Sequence, residues 1–172
     1  MPVWPFKRSK ADVDAERLLE AVTQASRQPA LFGEGRIPDT LEGRFELMAV
    51  NASLALLRLR GISGTEPLAQ AFTDKLFRFW DAGLREDGVG DLVVPKRMRK
   101  LAGSFYGRLE AYSGALNNPD ALKTALSRNV FGVEDASYAG ALANYVAATR
   151  VAQAGAELDT LFTLDGWPLY QG

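Results

Sequence analysis

One segment constrains the fold more than any other. Thr40 to Arg60 carries the run LEGRFELMAVNASLALLRLR. Leu41, Phe45, Met48, Ala52, Ala55 and Leu59 recur at helical spacing, and Leu47, Val50, Leu54 and Leu57 form a second stripe beside them. A helix apolar over most of its circumference has to be enclosed on most sides, which puts it at the centre of a helical bundle. Arg44, Asn51 and Arg58 repeat every seven residues as a narrow polar seam. Asp39 or Thr40 is a natural N-cap, Glu42 is placed to close a capping interaction, and Gly61 stops the helix.

Other segments supply the wrapping. Asp12–Gln28 reads as a helix capped by Asp12 or Asp14, with Val13, Leu18, Ala21, Val22 and Ala25 inward and Pro29 at its end. A linker from Ala30 to Asp39 follows. Pro67 opens a helix to about Asp87, with Phe72, Leu76, Phe79, Trp80, Gly83 and Leu84 on one face and Phe77 widening it. After the loop Gly88–Val94, another helix runs from Pro95 to about Leu116. Leu92, Val93 and Val94 are expected to tuck into the core and pin that loop. Asp120–Asn129 reads as a short helix and Ser137–Glu157 as the last long one. The apolar tail Leu158–Gly172 is expected to dock. No strand alternation or repeat is present. The expectation is an all-α, irregular bundle of six to seven helices in a single domain, residues 12–172. A flexible basic and aromatic N-terminus, residues 1–11, precedes it, where Trp4 and Phe6 beside Lys7, Arg8 and Lys10 suit an anionic membrane surface.

Absences narrow the chemistry. The chain has 172 residues, no cysteine and no histidine. Disulfides, thiolate nucleophiles, Ser–His–Asp triads and most transition-metal sites are thereby excluded. The remaining enzyme candidates are Glu42, Glu46, Asp91 and Tyr106, and their spacing is ordinary for solvated carboxylates. Gly88-x-Gly90 is no dinucleotide fingerprint, since a third spaced glycine is missing and a helix precedes it. The sequence reads as a non-enzyme without metal or cofactor. No apolar run reaches the ~18–20 residues of a transmembrane helix, and the prolines of MPVWPFKRSK interrupt any signal-peptide core. A cytoplasmic protein, with the option of peripheral attachment to the inner membrane, is the expectation.

The most unusual local feature is GVGDLVVPKRMRKLAGSFYGRLEAY, Gly88 to Tyr112. Met98, Leu101, Ala102, Phe105, Leu109 and Tyr112 form its apolar stripe. Lys96, Arg97, Arg99 and Lys100 lie in or next to the first turn, where the helix dipole disfavours exposed cations by about 0.3–1 kcal/mol each. No acidic residue lies between Pro95 and Leu109, and net charge is only −1, so this is a local patch. Two compensations offer themselves: Glu86, Asp87 and Asp91 folding back onto the cations, or an external anion such as RNA phosphate, a phospholipid headgroup or an acidic protein. Lys96, Arg97, Arg99, Lys100 and Arg108 are the candidate binding patch. Phe72, Phe77, Trp80 and Tyr106 are the candidate hydrophobic surface, set against the ordinary reading of a dense aromatic face as core.

Three blocks, DTLEGRFELM at Asp39–Met48, the Gly88–Tyr112 stretch and LSRNVFG at Leu126–Gly132, together resemble the ubiquinol–cytochrome c chaperone family. The resemblance spans roughly Leu31 to Arg150 and includes Gly88, Gly90, Asp91 and Pro95 as a motif loop, with Lys96, Arg97, Met98, Phe105, Tyr106, Gly107 and Arg108 following. It implies a non-enzymatic assembly chaperone of respiratory complex III that binds newly made cytochrome b or a similar nascent membrane protein. Further implied partners are a small helical co-chaperone and the ribosome near the tunnel exit, with no specific DNA. Family members often carry a histidine where Asn51 aligns, and the missing presequence fits a bacterial member. The competing expectation is a ribosome- or RNA-associated factor using the same basic helix.

Overall fold

The computed structural model describes residues 7–172. Six α-helices follow in order: α1 (Lys10–Ala25), α2 (Leu41–Arg60), α3 (Glu66–Glu86), α4 (Val94–Ala115), α5 (Pro119–Leu126) and α6 (Ala139–Ala154). Among the described residues there are no strands, only an isolated bridge between Phe32 and Ile37. The architecture is an all-α irregular bundle.

α2 is the central element. Every residue from Glu46 to Leu56 is buried, and the helix touches α1, α3, α4 and α6. The polar seam is consumed in three different ways. Arg44 pairs with Asp39 at 2.8 Å. The Asn51 amide donates to the Ser26 hydroxyl of the α1 cap at 3.0 Å. The Arg58 guanidinium donates to the Gln153 carbonyl at 3.1 Å, which ties α2 to the C-terminal end of α6. At the entry to α2 the Thr40 hydroxyl accepts from the Gly43 amide. A Cβ at Gly43 would stand 1.9 Å from the Pro38 carbonyl oxygen, so only glycine lets the chain turn into this helix.

α1 packs chiefly on α3, α2 on α4, and α5 on α6. Its N-cap is Ser9, whose hydroxyl accepts from the Asp12 amide at 3.0 Å, in place of Asp12 or Asp14. The helical body thus begins at Lys10, two residues before the expected boundary. Arg8 is paired with Asp12 and Glu16. Trp4 and Phe6 lie outside the described residues. α5 runs into a single π-helical turn, Ser127–Phe131, closed by Gly132 at φ 71°. α6 is shorter than the sequence suggested at both ends. The tail docks: Leu161, Phe162 and Trp167 are buried. The Trp167 indole donates to the Leu161 carbonyl at 3.0 Å, and the Tyr170 amide donates to Gln28 at 2.7 Å.

The loop before α4 departs from expectation. Val94 is buried, but Leu92 is 97% exposed and Val93 45% exposed. Backbone hydrogen bonds pin the loop in place of its apolar side chains. Gly88, at φ 88°, donates to the Arg85 carbonyl and Val89 to the Leu84 carbonyl, a Schellman closure of α3. The Gly90 carbonyl then accepts from the amides of both Val93 and Val94, which starts α4 without any side-chain cap.

Candidate functional site

α4 carries the cations, and its placement divides them. A groove of about 1100 Å³ lies between the α1–α2 connection, α2, α3 and α4. Its α4 wall is Arg97, Lys100, Leu101, Ser104 and Arg108, at spacings of three and four that define one helix face. Lys96 and Arg99 are exposed outside it. The apolar lining includes Phe45 and Met48 from α2, and Phe79, Trp80 and Leu84 from α3.

The floor is built by an aromatic cluster joining three helices. Trp80 lies 4.9 Å from Phe45 and 5.4 Å from Phe105, ring centre to ring centre. Phe77 stands edge-on to Phe105 at 6.0 Å and to Tyr106 at 5.8 Å. Of the four expected surface aromatics, Phe72 is fully buried and belongs to the core. Trp80 is buried but lines the groove, Phe77 is half-buried and Tyr106 is 47% exposed. Phe77, whose ring lies 5.8 Å from that of Trp80, and Tyr106 belong to the cluster but do not line the groove. Phe32, Phe45 and Phe79 also line the groove but stood outside that candidate surface, Phe32 in the linker and the other two in apolar stripes that read as core.

A buried ion pair stiffens the wall. Arg108 forks onto Glu46, Nε to Oε2 at 2.6 Å and Nη2 to Oε1 at 2.5 Å. The same guanidinium lies over the Phe45 ring at 5.6 Å. Burial pushes the Glu46 carboxyl above the usual carboxylate range, and the hydrogen bonds and charge of Arg108 only partly offset this. Burial works against the Arg108 charge, but the hydrogen bonds and charge of Glu46 outweigh it and raise the guanidinium. Arg108 is therefore a structural member of the patch, spent on Glu46.

The other four cations are different. Among the described residues Lys96, Arg97, Arg99 and Lys100 form no ion pair. Asp91 does not fold back on them. It pairs instead with Arg85, which also holds Asp81 at 2.7 Å. Gly88, Gly90, Asp91 and Pro95 of the motif loop thus set the α3–α4 turn and present the cations.

Of the residues that an enzyme would need, Glu46 is held by Arg108 and Asp91 by Arg85. Glu42 is exposed at the groove mouth. Among the described residues no cluster of acidic side chains is arranged to hold a metal ion. No described helix is long and apolar enough to cross a membrane. What the arrangement offers is an open, aromatic-floored groove whose α4 wall carries two cations, Arg97 and Lys100, that form no ion pair among the described residues, with Arg27 and the acids Asp39 and Glu42 elsewhere in its lining.

Comparison with known proteins agrees with the sequence blocks. Residues 34–164 match the family described as Ubiquinol-cytochrome C chaperone. A crystal structure of the Cbp3 homolog from Brucella abortus superposes with a TM-score of 0.78 at 37% sequence identity, covering 95% of this chain and 92% of that one. Among curated proteins none matches the chain.

Proposed function

The chain belongs to the ubiquinol-cytochrome C chaperone family, and from that premise we propose that it is a non-enzymatic chaperone whose groove holds newly made cytochrome b or a similar hydrophobic membrane protein. The observation that carries this reading is the groove wall, where Arg97 and Lys100 form no ion pair among the described residues and stand with Leu101 beside an apolar floor of Phe45, Phe79 and Trp80. An unfolded membrane segment presents apolar side chains that need cover, and an acidic group on such a segment would be held by a cationic neighbour. The groove supplies both, the cations from α4 and most of the apolar cover from α2 and α3.

The test is charge reversal. Arg97→Glu with Lys100→Glu is expected to keep the fold, because both side chains are exposed and unpaired. It should lower cytochrome b and complex III content in the native host. Normal levels with the folded variant would contradict the proposal.

A second reading rests on the same unpaired cations. A ribosome- or RNA-associated role, with or without a small helical co-chaperone, predicts salt-sensitive ribosome binding that persists in cells lacking cytochrome b.

A further inference from the structure

From the pinned loop before α4 we infer that this end of the molecule docks on an anionic phospholipid bilayer, with Leu92 as the inserted tip and Lys96 and Arg99 as headgroup contacts. The inference adds a site of action to the chaperone reading but does not use the groove, since neither Lys96 nor Arg99 lines it.

The starting point is an apolar side chain that the fold holds away from its own core. Leu92 is 97% exposed and Val93 is 45% exposed. A single exposed leucine is unremarkable on a protein surface. This one stands on a turn fixed from both sides, by the Schellman closure at Gly88 and by the Gly90 carbonyl that receives the first amides of α4. The Asp91–Arg85 pair ties the same turn to α3. The loop is thus a rigid presenter.

Charge next to the tip selects the partner. Lys96 and Arg99 follow within two turns, exposed and unpaired, and Lys96 lies in the first turn of α4, where the helix dipole opposes a cation. The neighbouring acids are Asp91, which is occupied by Arg85, and Glu86 and Asp87 at the end of α3, which pair with none of these cations. An aliphatic tip with cations on its C-terminal side suits an interfacial membrane contact, where acyl chains take the tip and anionic headgroups take the charge of Lys96 and Arg99. RNA would reward the cations but not an aliphatic tip, since it is read through stacking on aromatic or guanidinium planes.

The test uses the purified full chain and vesicles. One set combines phosphatidylglycerol with phosphatidylcholine, and the control set is phosphatidylcholine alone. The chain has no cysteine, so Leu92→Cys carries an environment-sensitive fluorophore at that position alone. The expected result is co-flotation with the anionic vesicles only, with a blue shift of the label at position 92. Lys96→Gln with Arg99→Gln should weaken binding about 25-fold, at about five-fold per cation, and Leu92→Ser about ten-fold. All three positions are exposed, so circular dichroism should be unchanged. The inference is overturned by a failure to float, by flotation that these variants do not alter, by a label that stays in water, or by binding to ribosomes without binding to vesicles. None of those results would touch capture of cytochrome b in the groove, which is measured separately.

Discussion

Arg108 of α4 and Glu46 of α2 form a two-pronged ion pair across the helix interface, with side chains only 19% and 11% exposed. The pair locks the groove wall to the central helix. Removing one partner strands a charge in a partly dehydrated site, whereas replacing both with apolar side chains does not. Arg108→Met should therefore cost about 3 kcal/mol at neutral pH, and Glu46→Met with Arg108→Met should recover most of that loss. Urea unfolding of the three proteins checks it.

The same pair sets a pH dependence. Because burial raises Glu46 in the folded state, folding takes up a proton over the interval between its ordinary and its raised value. The contribution of this group is full below the ordinary glutamate range and is lost as pH rises through the raised value. The stability of the native protein relative to Glu46→Gln should accordingly fall as pH rises from acid toward neutral. Urea midpoints across that range measure it, and a difference that rises with pH would contradict the assignment.

Tyr112 sits one turn beyond Arg108 with its hydroxyl buried and without a hydrogen-bond partner among the described residues. Burial, reinforced by the charge of Glu46, pushes the phenol upward. An unpaired buried hydroxyl is a cost that phenylalanine does not carry. Tyr112→Phe is predicted to raise stability by about 1 kcal/mol, read as a higher denaturant midpoint with unchanged slope.

Two glycines should respond in opposite directions. At Gly43 a methyl group would collide with the Pro38 backbone, so Gly43→Ala is expected to lose about 2–3 kcal/mol. Gly103, in the middle of α4, has open space around its missing side chain. Gly103→Ala should gain about 0.5–1 kcal/mol from helix propensity alone. Thermal melts of the two variants provide the comparison.

The architecture was legible because α2 is apolar nearly all round, and such a helix has few places to go. Thr40 and Pro95 each stand at a helix start by local rules that hold in the structure. The site was legible only in part. Periodicity placed Phe45 in a core stripe and could not show that its ring faces a groove across from Trp80. It grouped Arg108 with the free cations, because its partner Glu46 lies far away in sequence on another helix. The apolar run Leu92–Val94 invited burial, but backbone hydrogen bonds at Gly88 and Gly90 hold the loop without Leu92 or Val93. Phe72 and Trp80 share a helix face, and only the packing of α1 and α4 on α3 separates core from groove.

The most direct measurement of the central claim is site-specific photocrosslinking in the native host during cytochrome b synthesis. A photoreactive residue at Leu101 faces the groove, and one at Val151, exposed on α6, serves as the control. Crosslinks to newly made cytochrome b from position 101 and not from position 151 are the predicted result. Equal crosslinking from both positions, or crosslinks from 101 that contain ribosomal proteins but no cytochrome b, would contradict the account.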